Sequence, residues 1–232
     1  MATTAICNSF KMELLKAAHC FNATQSSLAG AGSNGAFTIT GLASTANVSV
    51  GMAAGGTNVA AGAIVASIDS ASQVTVSKAH TGTVTSGTIS FTGDVFKALL
   101  IKTSPSRTFD GTQTNVGTPG SGTPSASNVG TDETSGTGYT SGGVTLGNIT
   151  PALSSTTATT QFTPDPSWTT ATFSATAMVV YNNSTRLGAA ATPLNGRTVG
   201  VYDFGGTQTV TAGTFTVLQP VNAAGTALIQ IA

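Results

Sequence analysis

Charge is what this sequence has least of. Eight Lys and Arg and eight Asp and Glu are spread over 232 residues, 7% of the chain, and the formal net charge is zero. An ordinary soluble domain carries roughly a quarter. Three Arg and five Lys make no basic surface that could neutralise a run of phosphates, so nucleic acid is not an expected partner. Two His, two Cys and eight carboxylates leave little material for acid–base chemistry or metal ligation. No catalytic residue, cofactor or metal site is expected. Long apolar runs are missing too, so no transmembrane helix is expected and the membrane is not a partner. The first ten residues hold no Lys or Arg, and Lys11, Glu13 and Lys16 break the apolar stretch that follows, which argues against a secretory leader. If one helix joins Cys7 to Cys20, they stand about 20 Å apart. A disulfide between them needs about 7 Å or less, so two free thiols in a reducing compartment are expected, with an intermolecular bridge as the alternative.

Small residues fill the space that charge leaves. The chain has 43 Thr, 33 Ala, 28 Gly and 24 Ser, 128 positions in all. The hydrophobic share is 40%, too high for disorder driven by charge. Length allows one large β domain or two small ones with a real core. Composition therefore predicts a Thr-rich β protein with a structural task.

The one convincing helix is NSFKMELLKAAHC, residues 8–20. Asn8 or Ser9 can cap it. Phe10, Leu14 and Ala17 recur at helical spacing, with Leu15 and Ala18 widening the stripe, and Lys11, Glu13 and Lys16 on the other side. This stripe packs on its own sheet or docks on a neighbouring subunit. Residues 22–35 read as a Gly-rich linker. Short strands follow at Phe37–Thr40, Val48–Met52, Ala63–Ile68, Gln73–Ser77 and Thr88–Phe91, at the spacing of a small sandwich or barrel. Residues 94–104 have the apolar texture of either a strand or a helix, and the Ser-Pro-Ser turn that follows favours a strand. Residues 105–142 are Pro, Gly, Ser and Thr with few apolar anchors, and a loop that long is usually functional or interfacial. Two Gly-rich turns, 136–138 and 142–143, close it.

The longest predicted strand is Trp168–Tyr181. Phe173, Ala175, Ala177, Val179 and Tyr181 share one face, and the opposite face passes from polar to apolar, so part of it is solvated. Further strands are predicted at Thr198–Phe204, Thr207–Thr211, Thr214–Leu218 and Ala227–Ile231, with a tight turn at 211–213. Three motifs fail on context. Gly30-x-Gly32-x-x-Gly35 follows a linker and precedes a strand, the wrong setting for a dinucleotide site. Asp203-Phe204-Gly205 lacks every other kinase element and reads as a strand end before a Gly-Gly turn. Asp132-Glu133, the one adjacent acidic pair, reads as a solvated turn. Trp168, Phe173, Tyr181, Tyr202 and Phe204 fall at strand-core spacing, which leaves Tyr139 as the aromatic able to meet a partner.

An ordered series of blocks carries a resemblance: CNSFKMELLKAAHCF (7–21), DVFKALLIKTSPS (94–106), SGTGYTSGGVTL (135–146), DPSWTTATFSATAMVVYN (165–182), VYDFGGTQTVTAGTFTV (201–217) and ALIQIA (227–232). Joined up, this frame covers about two-thirds of the chain and resembles a family of small virion structural proteins of tailed bacteriophages, of head-decoration or tail-associated type. Residues 40–77 resemble a small β module found within many phage head and tail proteins, inserted into the frame between Phe21 and Asp94. The expected fold is mainly β: a β-sandwich frame of jelly-roll or Ig-like type with one N-terminal helix (1–28 and 94–232), plus an inserted all-β module (29–93). The resemblance implies a non-enzymatic capsid decoration or cement protein on the virion exterior, made in the host cytoplasm. Its partners would be the major capsid protein and neighbouring copies of itself. Other readings are a tail-associated protein and an adhesin binding host-surface glycan, the latter weakened because Phe37 and Phe91 are the only aromatics of the inserted module. The candidate contact residues are Phe10, Leu14, Leu15 and Tyr139.

Overall fold

The computed structural model describes residues 1–185 and 193–231. In chain order the elements are β1 (Ala5–Ile6), α1 (Asn8–Leu15), β2 (Gln25–Leu28), β3 (Thr38–Ile39), β4 (Ala53–Gly55), β5 (Ala63–Ser70), β6 (Gln73–Val76), β7 (Ile89–Thr92), β8 (Phe96–Ile101), β9 (Val144–Leu146), β10 (Ala152–Ser154), β11 (Thr157–Thr160), β12 (Ser167–Asn182), β13 (Arg197–Thr216) and β14 (Ile229–Ile231). The protein is mainly β, with three antiparallel sheets and one α-helix among the described residues. Ala232, which follows the predicted terminal strand Ala227–Ile231, lies outside them.

The chain forms two compact units. One comprises Met1–His19, Val95–Gly147 and Leu153–Ala232, and the other Cys20–Asp94 with Asn148–Ala152. Sequence placed the boundaries at 28/29 and 93/94. The segment read as a linker is the reason for the difference. Gln25–Leu28 is an edge strand, with Gln25 opposite Phe91 and Leu28 opposite Ile89, so its backbone belongs with the second unit. Asn148 joins the same unit by donating its side-chain amide to the Asp94 carbonyl at 2.8 Å.

The second unit is one six-stranded sheet in the order β2-β7-β4-β5-β6-β3. Alternation in β6 and β7 points Val74, Val76, Ile89 and Phe91 inward, where they meet Ile39, Leu42, Met52 and Val65. Val48–Met52, expected as a strand, is turn, and the strand begins at Ala53. The Gly30–Gly35 motif has a packing role. Gly32 bridges Val84, and a Cβ there would come within 2.7 Å of the His80 ring.

The first unit is built on a five-stranded sheet, β1-β13-β12-β8-β9. A three-stranded sheet, β10-β11-β14, ties in the C-terminal strand. The predicted alternation of β12 holds: Phe173, Ala175, Ala177, Val179 and Tyr181 are all buried, while on the opposite face Thr172 is exposed and Met178 and Val180 are buried. The three strands and two turns expected after residue 198 are instead one strand, β13, paired with β12 from Arg197 to Thr216. Both apparent turns are bulges. Ala175 faces Gln208 and Ala177 faces Asp203, so Phe204–Thr207 bulge out of the ladder. A second irregularity falls at Thr211–Ala212, where Ala212 has φ 49°. A partner strand without a break makes bulging the local solution, because the ladder resumes on the far side.

The helix is shorter than its pattern. It ends at Leu15, because Ala17 turns left-handed (φ 51°) and the Ala18 N–H returns to the Glu13 carbonyl at 3.0 Å. Cys7 is its N-cap, with no side-chain cap, in place of Asn8 or Ser9. Glu13, expected on the solvated side, is buried. Its carboxylate meets His19 Nε2 at 2.8 Å and Arg197 at 3.3 Å, and the His19 ring is in turn 2.9 Å from the Asn182 amide. A charge so enclosed is tolerable because it is paired.

Candidate interaction surface

The four residues singled out from sequence lie in different settings. Phe10 is fully buried, its ring 5.0 Å from that of His19, so it is core and not contact surface. Leu14 is half-buried. Leu15 is 92% exposed, and with Met12 it forms the apolar outer side of α1. Tyr139 is half-buried inside a cluster of aromatic rings: it stacks on Trp168 at 6.0 Å and meets Phe173 edge-on at 5.5 Å. Both neighbours fix the ring from within the unit, which leaves Tyr139 as an internal strut.

The long loop is built around the two carboxylates that the sequence suggested were solvated. Asp132 and Glu133 are both buried. Asp132 accepts the Ser106 N–H at 2.9 Å and the Ser106 hydroxyl at 2.8 Å, and pairs with Lys102 at 3.0 Å. Burial pushes its pKa upward, but the Ser106 and Lys102 interactions outweigh burial and hold it below the ordinary carboxylate value. Glu133 accepts the Tyr139 hydroxyl at 2.8 Å, the Ser141 hydroxyl at 2.6 Å and the Gly142 N–H at 2.6 Å. Here burial wins over the donors and the pKa is raised. The Tyr139 phenol, pushed up by burial and by the Glu133 charge, stays protonated and also receives the Leu100 N–H at 2.9 Å.

Further ties close the rest of the loop. Phe109, Val116 and Val129 are buried anchors. The Asn128 carboxamide accepts from the Thr118 and Gly130 N–H groups and donates to the Ser121 and Thr123 carbonyls. At the loop's end Gly143 (φ 69°) crosses β8 so closely that a Cβ would lie 1.8 Å from the Ala98 carbonyl oxygen. Residues 105–142 are therefore a surface segment held by its own hydrogen bonds. Between its branches is a cavity of about 400 Å³ lined by Pro119, Ser121, Thr131, Glu133, Thr134, Ser135, Tyr139 and Ser141, among others.

Chemically this is a staple. Glu133 and Ser141 are close enough to suggest a base and a nucleophile, but Glu133 already accepts three donors and Ser141 also touches the Pro119 carbonyl at 2.9 Å. No His stands between them, as the usual relay requires. Among the described residues, no three His, Cys, Asp or Glu side chains gather to hold a metal ion. No helix there is long and apolar enough to cross a membrane.

A second surface of the same unit has no counterpart in the sequence reading. From Phe204 to the end of the chain there is not one charged side chain. Beyond Gly200 and Val201, which pair with β1, the outer edge of β13 has no strand partner among the described residues. Just past it Leu218 is 78% and Val221 75% exposed. Leu218 stands between two cavities and lines both. One, of about 270 Å³, lies against Phe204, Phe215 and Val217. The other, of about 330 Å³, lies against Met178, Tyr202, Asp203, Pro220 and Leu228, so a carboxylate borders this surface. The absence of charge after Asp203 was readable in the sequence. The protrusion of Leu218 was not, because it depends on where the ladder ends.

Comparison with known proteins finds no matching family model, no matching curated protein and no matching solved structure.

Proposed function

We propose that this chain is a non-enzymatic structural protein of a tailed-phage virion, acting as a capsid decoration or cement protein. The blocks described above carry the phage context as a resemblance. The structural observation that best supports the role is the loop 105–142. It is long and exposed along much of its length, yet fastened at both ends by the buried carboxylates Asp132 and Glu133. A flexible loop loses conformational entropy when it docks; one already held by its own hydrogen bonds loses less. Small Thr, Ser and Gly side chains add little rotamer entropy to that cost. On a closed symmetric shell each such contact is repeated, so a weak one suffices. In this reading the loop faces the capsid lattice, and the unit holding residues 20–94 is the displayed module.

The test is stoichiometry and location on purified particles. Copies on the order of hundreds per virion, mapped by cryo-electron microscopy to the head exterior, are the expected result. A ring of a few copies on the tail would replace it with the tail-associated role. Absence from the particle would overturn it.

A further inference from the structure

We infer that the cavity of loop 105–142 is a binding site for an alkylammonium group, with Glu133 as its counter-ion. The cavity, of about 400 Å³, has a polar mouth and an acidic floor. Ser121, Thr131, Ser135 and Ser141 at its rim are exposed, whereas Glu133 is buried. No Lys, Arg or His lines it among the described residues. A ligand reaching the floor meets a carboxylate ringed by neutral oxygens, a setting that rejects anions and suits cations. The adjacent carboxylate shows what is missing. Asp132 holds its own cation, Lys102, at 3.0 Å. Glu133 has no salt-bridge partner among the described residues. Lys97, its ammonium beside Gly142, eases the Glu133 charge without pairing with it. Burying a carboxylate without a paired cation is costly.

The hydrogen bonds around Glu133 select the kind of cation. Its Oε1 is filled by the Tyr139 hydroxyl and the Gly142 N–H. Its Oε2 accepts Ser141 alone, at 2.6 Å. The Ser141 hydroxyl has one proton and two acceptors in reach, Oε2 and the Pro119 carbonyl at 2.9 Å. Given to the nearer carboxylate, that proton leaves Pro119 without a donor among the described residues. Oε2, Ser141 Oγ and the Pro119 carbonyl thus form one wall short of donors and of positive charge. Gly120 keeps the wall open, since a Cβ there would come within 2.9 Å of Ser141 Oγ and 3.4 Å of Oε2. Water fills about 30 Å³ per molecule and brings donors but no charge. An ammonium brings three N–H donors and the charge together. A guanidinium fork needs both carboxylate oxygens, and Oε1 is taken. A bare Ca²⁺ needs about six to eight oxygens and would leave most of the cavity unused. The alkyl chain has room beside Tyr139 and Pro119.

The site stands whether or not the chain belongs to a virion. The experiment is an amide-resolved NMR titration of the full chain near neutral pH and at fixed ionic strength. The probes are Nα-acetyl-lysine methylamide, its arginine and norleucine analogues, diaminobutane and potassium chloride. The lysine analogue and diaminobutane should both move the Tyr139 and Gly142 amides along saturable curves. Tighter binding of the lysine analogue assigns the group to a protein side chain, and tighter binding of the diamine assigns it to a free amine. Glu133→Gln should weaken binding by at least about tenfold, the loss of one hydrogen bond to a charged group. Ser135→Leu, on the exposed rim, narrows the mouth without touching the hydrogen bonds of Glu133, and should weaken binding in a protein whose other amides stay in place. That second variant keeps the test decisive if Glu133→Gln fails to fold. No saturable shift with either amine overturns the inference. So does equal binding by the arginine or norleucine analogue, the same shifts with potassium, or undiminished binding by folded Glu133→Gln or Ser135→Leu.

Discussion

Substitution of Gly143 by Ala offers the sharpest test of how the loop is fastened to the sheet. Gly143 has φ 69°, and a Cβ would sit 1.8 Å from the Ala98 carbonyl oxygen. Ordinary contact begins near 3.4 Å, so one of the two strands must move by roughly 1.6 Å. That motion cannot stay local. Ala98 pairs with Val144 on one side and with Val180 on the other, in the middle of the sheet. A left-handed Ala costs about 1–2 kcal/mol by itself. Losing two buried ladder hydrogen bonds adds about 1–3 kcal/mol each, for a total of about 3–8 kcal/mol. Gly225→Ala is the matched control: it lies in the same unit with φ 84°, and nothing stands within 4 Å of its Cβ position. It should show only the conformational part, about 1–2 kcal/mol. Urea unfolding followed by tryptophan fluorescence measures both, since Trp168 is the only Trp and reports on this unit alone. Equal losses of midpoint in the two variants would refute the close crossing of Gly143 over β8.

The adjacent carboxylates should respond to pH with opposite signs. The pKa of Glu133 is raised in the fold, so its contribution is complete below the unfolded value of about 4.3 and is lost as pH rises through the raised native value. Glu133→Gln should flatten the decline in stability from about pH 4 upward; parallel urea midpoints for wild type and variant across that range would contradict this. The pKa of Asp132 is lowered, so its contribution is present above about 3.9 and disappears as pH falls through the lower native value. Asp132→Asn should be less stable than wild type at neutral pH and converge with it in acid, and a constant gap would count against the Ser106 and Lys102 contacts. Burial pushes the Cys7 thiol up to about 11; peptide mapping after maleimide treatment at pH 8 should find Cys7 unlabelled until urea is added.

Sequence reading was most successful where periodicity alone decides the structure. In β12, strict alternation from Phe173 to Tyr181 carried the buried face. In β6 and β7 the same alternation puts Val74, Val76, Ile89 and Phe91 in the core. It failed where a local signal met a tertiary constraint. Gly205-Gly206 and Thr211-Ala212-Gly213 have turn chemistry, yet β12 offered an unbroken partner and they became bulges. Phe10 and Glu13 are both buried on α1, but a Glu reads as solvent-facing unless its partner is known, and Arg197 lies far along the chain. Asp132 and Glu133 were misplaced for the same reason: their donors, Ser106 and Ser141 among them, are brought in by the loop's own folding. No composition rule marks Leu218 as protruding, since its neighbours Phe215 and Val217 have the same apolar character.

The pairing of β1 with β13 also sets a timetable. Ala5 lies opposite Val201, about 200 residues later in the chain. At roughly 5–20 residues per second, the N-terminal strand leaves the ribosome some 10–40 seconds before its partner exists. The unit holding Cys20–Asp94 lacks only Asn148–Ala152, so it can condense much earlier in synthesis. Cys7 and the apolar side chains of the first nineteen residues stay without their final cover for that interval, and this is the period in which the nascent chain is most exposed to oxidation and to misassociation.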